Sequence, residues 1–198
     1  MGLGDKVTDG QHVYAYVNAN AYPNNDAYAY FDDADIDASA YVKTTVKLTA
    51  QNGYDENWSP KFEGCEKAAL KAYTADLKTE VADFKAASLG NGEYSVSFKQ
   101  AGDYLIVATA ENNAIIPAVC KVRVKAAEGF ADVKNTDFYF EATLWGNANE
   151  IVQGIGNNVF APGAKCTRAQ VVTFLYRLAG SPEVSGDCVF ADVPDSYY

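Results

Sequence analysis

Gly92-Glu93-Tyr94-Ser95-Val96-Ser97-Phe98-Lys99 puts Tyr94, Val96 and Phe98 on one side of an extended chain and polar residues on the other. Successive side chains of a strand point to opposite faces, so this two-residue period reads as a half-buried strand over Tyr94–Lys99. A Gly102-Asp103 turn follows, and Tyr104–Ala110 and then Ile115–Lys125 are again strand-like. Upstream, His12–Tyr22 alternates in the same way. Val13, Ala15, Val17, Ala19 and Ala21 share one face, while Tyr14, Tyr16, Asn18, Asn20 and Tyr22 share the other. Ala27–Phe31, Thr44–Ala50, Ala69–Thr74 and Lys78–Phe84 supply further runs, separated by Pro23-Asn24-Asn25, Asn52-Gly53 and Gly90-Asn91-Gly92. Seven or eight short strands at this spacing in about 120 residues predict an antiparallel β-sandwich.

The bulk numbers agree with a globular chain of one large or two small domains: 198 residues, 48% hydrophobic and 21% charged. The net charge of −10 divides evenly. Residues 1–127 hold 12 Lys/Arg against 17 Asp/Glu, and residues 128–198 hold 4 against 9. Binding to nucleic acid or to anionic membranes rests on clustered Lys and Arg, so this balance argues against both. No stretch reaches the roughly 18 apolar residues of a membrane span. Met1-Gly2-Leu3-Gly4-Asp5-Lys6 lacks the apolar core of a signal peptide, so an exported form is expected to have lost its leader, Met1 then being an added residue.

Chemistry-bearing residues are sparse in the first 127 positions. His12 is the single histidine and no Ser or Cys motif accompanies it, which disfavours nucleophilic catalysis. Phe31-Asp32-Asp33-Ala34-Asp35-Ile36-Asp37 is an acidic run in which Asp33, Asp35 and Asp37 alternate, a weak candidate for calcium. It lacks the glycine and later glutamate of an EF-hand, and a solvated acidic turn is the plainer reading. The face formed by Tyr14, Tyr16, Asn18 and Tyr22, extended by Tyr28 and Tyr30, is either a structural tyrosine ladder or a surface for stacking on sugars. Cys65, Cys120, Cys166 and Cys188 fit no zinc or redox spacing. Pairs Cys65–Cys120 and Cys166–Cys188 would each close a loop within one half, as suits an oxidising compartment; buried thiols are the alternative.

After Glu128-Gly129 the period changes. Phe138, Ala142, Trp145, Ala148 and Val152 step by three or four, predicting an amphipathic helix that ends near Gly154. Thr167-Arg168-Ala169-Gln170 reads as a capping box, opening a second helix with an apolar stripe of Val171, Phe174, Leu175 and Leu178. Gly180-Ser181-Pro182 stops it. Phe130-Ala131-Asp132-Val133 then recurs as Phe190-Ala191-Asp192-Val193, the mark of a repeat array.

Two resemblances attach to these residues. Gly92–Val124 is similar to the closing strands of bacterial immunoglobulin-like domains, with their G-x-Y-x-V-x-F-x-x-A-G-x-Y pattern. Phe130/Asp132/Val133, Ala142/Trp145, Gly154-Ile155-Gly156 through Phe160-Ala161-Pro162, and Thr167-Arg168-Ala169-Gln170 resemble the S-layer homology (SLH) family. Asn157-Asn158 replaces that family's usual Asp-Gly turn, and only one repeat is complete. The expected organisation is mainly β: an immunoglobulin-like sandwich over 1–127, a helix-turn-helix-like SLH repeat over 128–182, and a second, truncated repeat over 183–198.

The SLH resemblance implies a secreted, non-enzymatic surface protein of a Gram-positive bacterium, bound non-covalently to secondary cell-wall polysaccharide that often carries pyruvate ketals, in company with further SLH repeats. An adhesin whose carbohydrate or protein ligand sits on the tyrosine-rich sandwich is the rival. Arg168 is the expected anion contact, because its forked guanidinium stands at a helix N-terminus. Trp145 is the expected stacking wall, and Thr167 and Gln170 shape the capped end. An inter-repeat ion pair for Arg168 and core packing for Trp145 are the competing roles.

Overall fold

Ala118, Cys120, Val122 and Val124 are buried while Val119, Lys121, Arg123 and Lys125 between them are exposed, so the last strand of the first unit obeys the two-residue period residue by residue. A computed structural model of the chain describes residues 27–66, 68–110, 115–186 and 190–193. The chain divides into two units at Ala127/Glu128.

In the first unit, strands β1 (Ala29–Phe31), β3 (Thr44–Tyr54), β7 (Glu93–Ser97) and β6 (Lys85–Gly90) lie side by side in that order. Strand β4 (Pro60–Gly64) folds back on β3 as an added hairpin arm. The second sheet runs β2 (Asp35–Ser39), β9 (Ala118–Lys125), β8 (Gly102–Ala110), β5 (Ala68–Thr74). With β4 set aside, this strand order is the immunoglobulin-type one. Among the described residues pairing is antiparallel except between β2 and β9 and at the Ala27–Ile115 bridge. One hydrophobic core joins the sheets, with Leu48, Val96 and Phe98 from the first meeting Ile106, Cys120 and Val122 from the second. The Phe98 ring stacks on Tyr104 at 5.0 Å and tilts against Phe84 at 5.1 Å. Tyr94 ties the core's edge together: its buried hydroxyl donates to the Cys65 carbonyl at 2.7 Å and accepts from the Ala68 amide at 3.2 Å.

Three expectations are corrected here. Residues 78–84 form no strand beyond a bridge at Glu80; the strand is β6, one step later, on the sheet edge. It escapes a periodicity reading because five of its six residues are exposed, so neither face carries an apolar pattern. The acidic run is not a loop throughout. Asp35 and Asp37 stand on β2, where Arg123 of β9 donates to both, at 2.9 Å and 3.0 Å. Cys65 and Cys120 are not joined by a disulfide. Cys120 lies in the core with its sulfur 3.2 Å from the Asp33 carbonyl oxygen, and burial pushes its thiol pKa up to about 12. Cys166 likewise carries a thiol. Tyr14, Tyr16, Asn18, Tyr22, His12 and Cys188 lie outside the described residues.

The described residues of the second unit include two helices, α1 (Phe140–Ala148) and α2 (Arg168–Leu178). Helix α1 ends earlier than its apolar spacing suggests, because the amides of Ile151 and Val152 both turn back to the Gly146 carbonyl. Val152 therefore closes over Gly146, where a β-carbon would sit 3.1 Å from its methyl.

Candidate functional site

The loop between the helices is held by backbone bonds that its sequence dictates. Asp132 accepts from the Phe160 amide with one carboxylate oxygen and from the Ala161 amide with the other, both at 2.8 Å. Those donors, the Phe160 amide foremost, hold its carboxyl below the usual carboxylate range. The buried Phe130 ring packs 5.5 Å from Phe160, so Phe130-Ala131-Asp132-Val133 staples the front of the unit to the loop by one ring and one carboxylate. Asn157 and Asn158 occupy successive left-handed conformations, which asparagine tolerates better than most residues, and the Asn158 amide nitrogen donates to the Gly129 carbonyl at 3.1 Å. That is why an Asn-Asn pair can stand in this turn.

Gly154 (φ +69°) is fixed more tightly. A β-carbon there would lie 2.3 Å from the Val159 carbonyl oxygen and 2.9 Å from the Phe130 ring. The close approach allows Ile155 to donate to Val159 at 2.8 Å. Thr167 then caps α2: its hydroxyl accepts from the Gln170 amide at 3.2 Å, and the Gln170 side-chain oxygen accepts from the Thr167 amide at 2.9 Å.

Between this loop and α2 lies a groove of about 320 Å³. Gln153, Ile155, Phe160, Lys165, Gln170 and Arg177 are among its lining. Arg177 donates to the Ile151 carbonyl at 3.3 Å and to the Gln153 side-chain oxygen at 3.2 Å, latching α2 to the chain that leaves α1. The residues expected at the site are thus distributed. Gln170 lines the groove and Thr167 caps the helix beside it. Arg168 is exposed at the first position of α2, and Trp145 is 43% exposed on α1; neither lines the groove. Lys165 and Arg177 were not singled out from sequence. Arg177 sits in the last turn of α2, where a cation is accounted for by the helix dipole alone.

Residues 129–172, from the Phe130 staple through the capped start of α2, match the family model of the S-layer homology domain. The chain carries an S-layer homology domain. Such domains attach proteins to cell-wall polysaccharide at the cell surface. The SLH match contains Asp132, Gly154, Lys165 and Arg168 and stops short of Phe174 and Arg177. No curated protein matches the chain. Two solved structures similar to it are a chain from work on T cell activation by the bacterial superantigen toxic shock syndrome toxin-1 and the Lin-41 filamin domain. The first shows 5% identity and a TM-score of 0.33 over 50% of this chain and 99% of its own. The second shows 13% identity and a TM-score of 0.30 over 48% and 91%. Among the described residues no helix is long and apolar enough to cross a membrane, and no cluster of three or more His, Cys, Asp and Glu is placed to hold a metal ion.

Proposed function

We propose that the chain is a secreted, non-catalytic surface protein of a Gram-positive bacterium, whose SLH domain binds secondary cell-wall polysaccharide while the β-sandwich is displayed outward. The observation that carries this reading is the capped N-terminus of α2, where Arg168 stands exposed without an ion pair among the described residues. A helix N-terminus with an adjoining guanidinium suits a carboxylate such as a pyruvate ketal. Further SLH repeats complete the binding unit. The support for them is the apolar stripe of α2: Val171, Leu175 and Leu178 are all exposed, Leu175 by 59%, and helix α2 buries no residue. An amphipathic helix needs a partner for such a face.

Sedimentation with purified wall sacculi, native and stripped of secondary polymer, tests the reading on this chain and on a form extended through three repeats. Retention of the extended form, lost on stripping and reduced by Arg168→Ala without unfolding, is expected. Absence of retention for both forms overturns it.

A second reading, capture of a ligand by the sandwich, is favoured by one observation. Tyr28, Tyr30 and Phe62 form an aromatic cluster with centroids 5.7–6.5 Å apart. Near it, Trp58 at the β3–β4 turn is 82% exposed beside Tyr54. Loss of glycan or protein capture on Phe62→Ala or Trp58→Ala, with sacculus retention intact, would establish it.

A further inference from the structure

A sheet edge carries a row of backbone donors and acceptors that another strand can take up, and folded chains shield such edges. Among the described strands, four of the five at an edge are shielded. β4 carries Pro60, Lys61 and Glu63, and β2 carries Asp35 and Asp37. β1 is three residues long, and the Ile116 amide holds the chain just before it by donating to the Ala27 carbonyl at 2.8 Å. Beside β5, the turn that follows it folds back. The Val81 amide donates to the Ala72 carbonyl at 2.8 Å, the Thr74 amide to the Thr79 carbonyl at 2.9 Å, and Lys71 pairs with Glu80 at 2.9 Å.

Strand β6 has none of these devices along Lys85–Ser88. Lys85-Ala86-Ala87-Ser88-Leu89-Gly90 holds one charge and no proline, and all but Gly90 are exposed. One side of it pairs with β7. On the other, among the described residues, no backbone bond from another element reaches residues 85–89.

The side chains choose the occupant. Strand addition gains specificity from pockets for alternate side chains, and Ala86-Ala87-Ser88 offers none to a foreign peptide. It offers small, uncharged residues that tolerate their own copy. Two antiparallel copies in one sheet are related by a two-fold axis perpendicular to it, so facing residues must lie on the same face. An axis through Ala87 meets that condition. It sets Ala87 against Ala87, Ala86 against Ser88 and Lys85 against Leu89, and it leaves Gly90, beyond the register shift, out of the ladder. The lysine stem then covers Leu89, which is 58% exposed. The two lysines stay about 13 Å apart, four strand residues. No carboxylate stands in this edge, in a chain whose net charge is −10.

We propose that β6 is a self-association edge, through which two copies of this chain join their first sheets antiparallel into one continuous sheet. The inference goes beyond wall attachment and does not rest on it. A ladder of about five residues buries less than a standard interface, so the pairing is weak and reversible.

Sedimentation velocity of the full chain, up to about 1 mM, tests it. The wild type should show a dimer that grows with concentration. Ala87→Glu and Ala87→Lys each put like charges face to face and should weaken it about fivefold, whereas an equimolar mixture of the two should restore it. Both changes fall on an exposed side chain and should leave the thermal transition of the sandwich in place. Should either fail to fold, Ala87→Cys in a Cys166→Ser, Cys188→Ser background carries the test. It should form a disulfide-linked dimer under mild oxidation, and Thr45→Cys, exposed two strands inside the same sheet, should not. A monomeric wild type, a dimer indifferent to charge at position 87, or equal cross-linking through positions 87 and 45 would overturn the proposal. A dimer lost on Leu175→Gln but kept by Ala87→Glu would overturn it too, and would assign association to the exposed stripe of α2.

Discussion

Replacing Gly154 with Ala should cost the helical unit a large part of its stability, and the loss divides into separable pieces. The backbone at φ +69° is left-handed, which costs an L-residue about 1–2 kcal/mol. The new methyl would start 2.3 Å from the Val159 carbonyl oxygen, so the Ile155–Val159 hydrogen bond must open, at about 1 kcal/mol net. Displacing the Phe130 ring, 2.9 Å away, adds the cost of overpacking, about 1–2 kcal/mol. The sum is about 3–5 kcal/mol, against roughly 4–10 kcal/mol in total for a unit of this length. Gly180→Ala is the control, because φ is +83° there and a β-carbon meets open space. Its cost should stay at about 1–2 kcal/mol. The assay is urea unfolding followed by Trp145 fluorescence in a Trp58→Phe background, which leaves one reporter, in the helical unit. Equal midpoint shifts for the two alanine variants would refute the argument that close approach, rather than dihedral preference alone, demands glycine at 154.

Tyr94→Phe strips the bonds to Cys65 and Ala68 while keeping the ring, so the sandwich should lose about 1–3 kcal/mol in its calorimetric transition; a change below about 0.5 kcal/mol would show those groups find water instead. Because the Asp132 carboxyl is held below its unfolded value, its contribution is present above the unfolded pKa and is lost as pH falls through the folded one. The helical unit should therefore soften as pH drops below about 4, and Asp132→Asn should flatten that slope; parallel midpoint-versus-pH curves would count against the Asp132 clamp. In native labelling at pH 8, exposed Cys166 should react quickly. Cys120, with a pKa of about 12 and about one thiolate in ten thousand, should react only after denaturation; rapid alkylation of Cys120 in the native chain would contradict its burial.

Where apolar and polar residues alternated, as in β7 and β9, or an apolar run lay just past a turn, as in β8, the sandwich was readable from sequence, and so was the capping box of Thr167 and Gln170. Strand β2 was hidden because three of its five residues are polar and two are aspartates; what makes it a strand is a partner, Arg123, more than eighty residues away. Strand β6 was displaced because an exposed edge imposes no pattern. The helices were found by period, but which way the apolar stripe of α2 faces is not a property of its sequence. The stripe marks a face that needs burying, and among the described residues of this unit nothing buries it. The groove was invisible for a related reason: Gln153 and Lys165 of the loop and Arg177 of α2 line one recess only once the loop has folded beside that helix.

The parallel pairing of β2 with β9 has a mechanical meaning. Asp35 to Ser39 run alongside Lys121 to Lys125 in the same direction, so the entrance to β2 and the exit from β9 lie at opposite ends of one ladder. A protein tethered downstream of β9 and dragged from any point upstream of β2 would load that ladder lengthwise. Its rungs must then yield together rather than peel one by one, and resistance to such a pull is set by the rate of crossing that barrier, not by equilibrium stability. The Arg123 bonds to Asp35 and Asp37 cross the same seam. Tension on the tether would meet the sandwich in its stiffest direction.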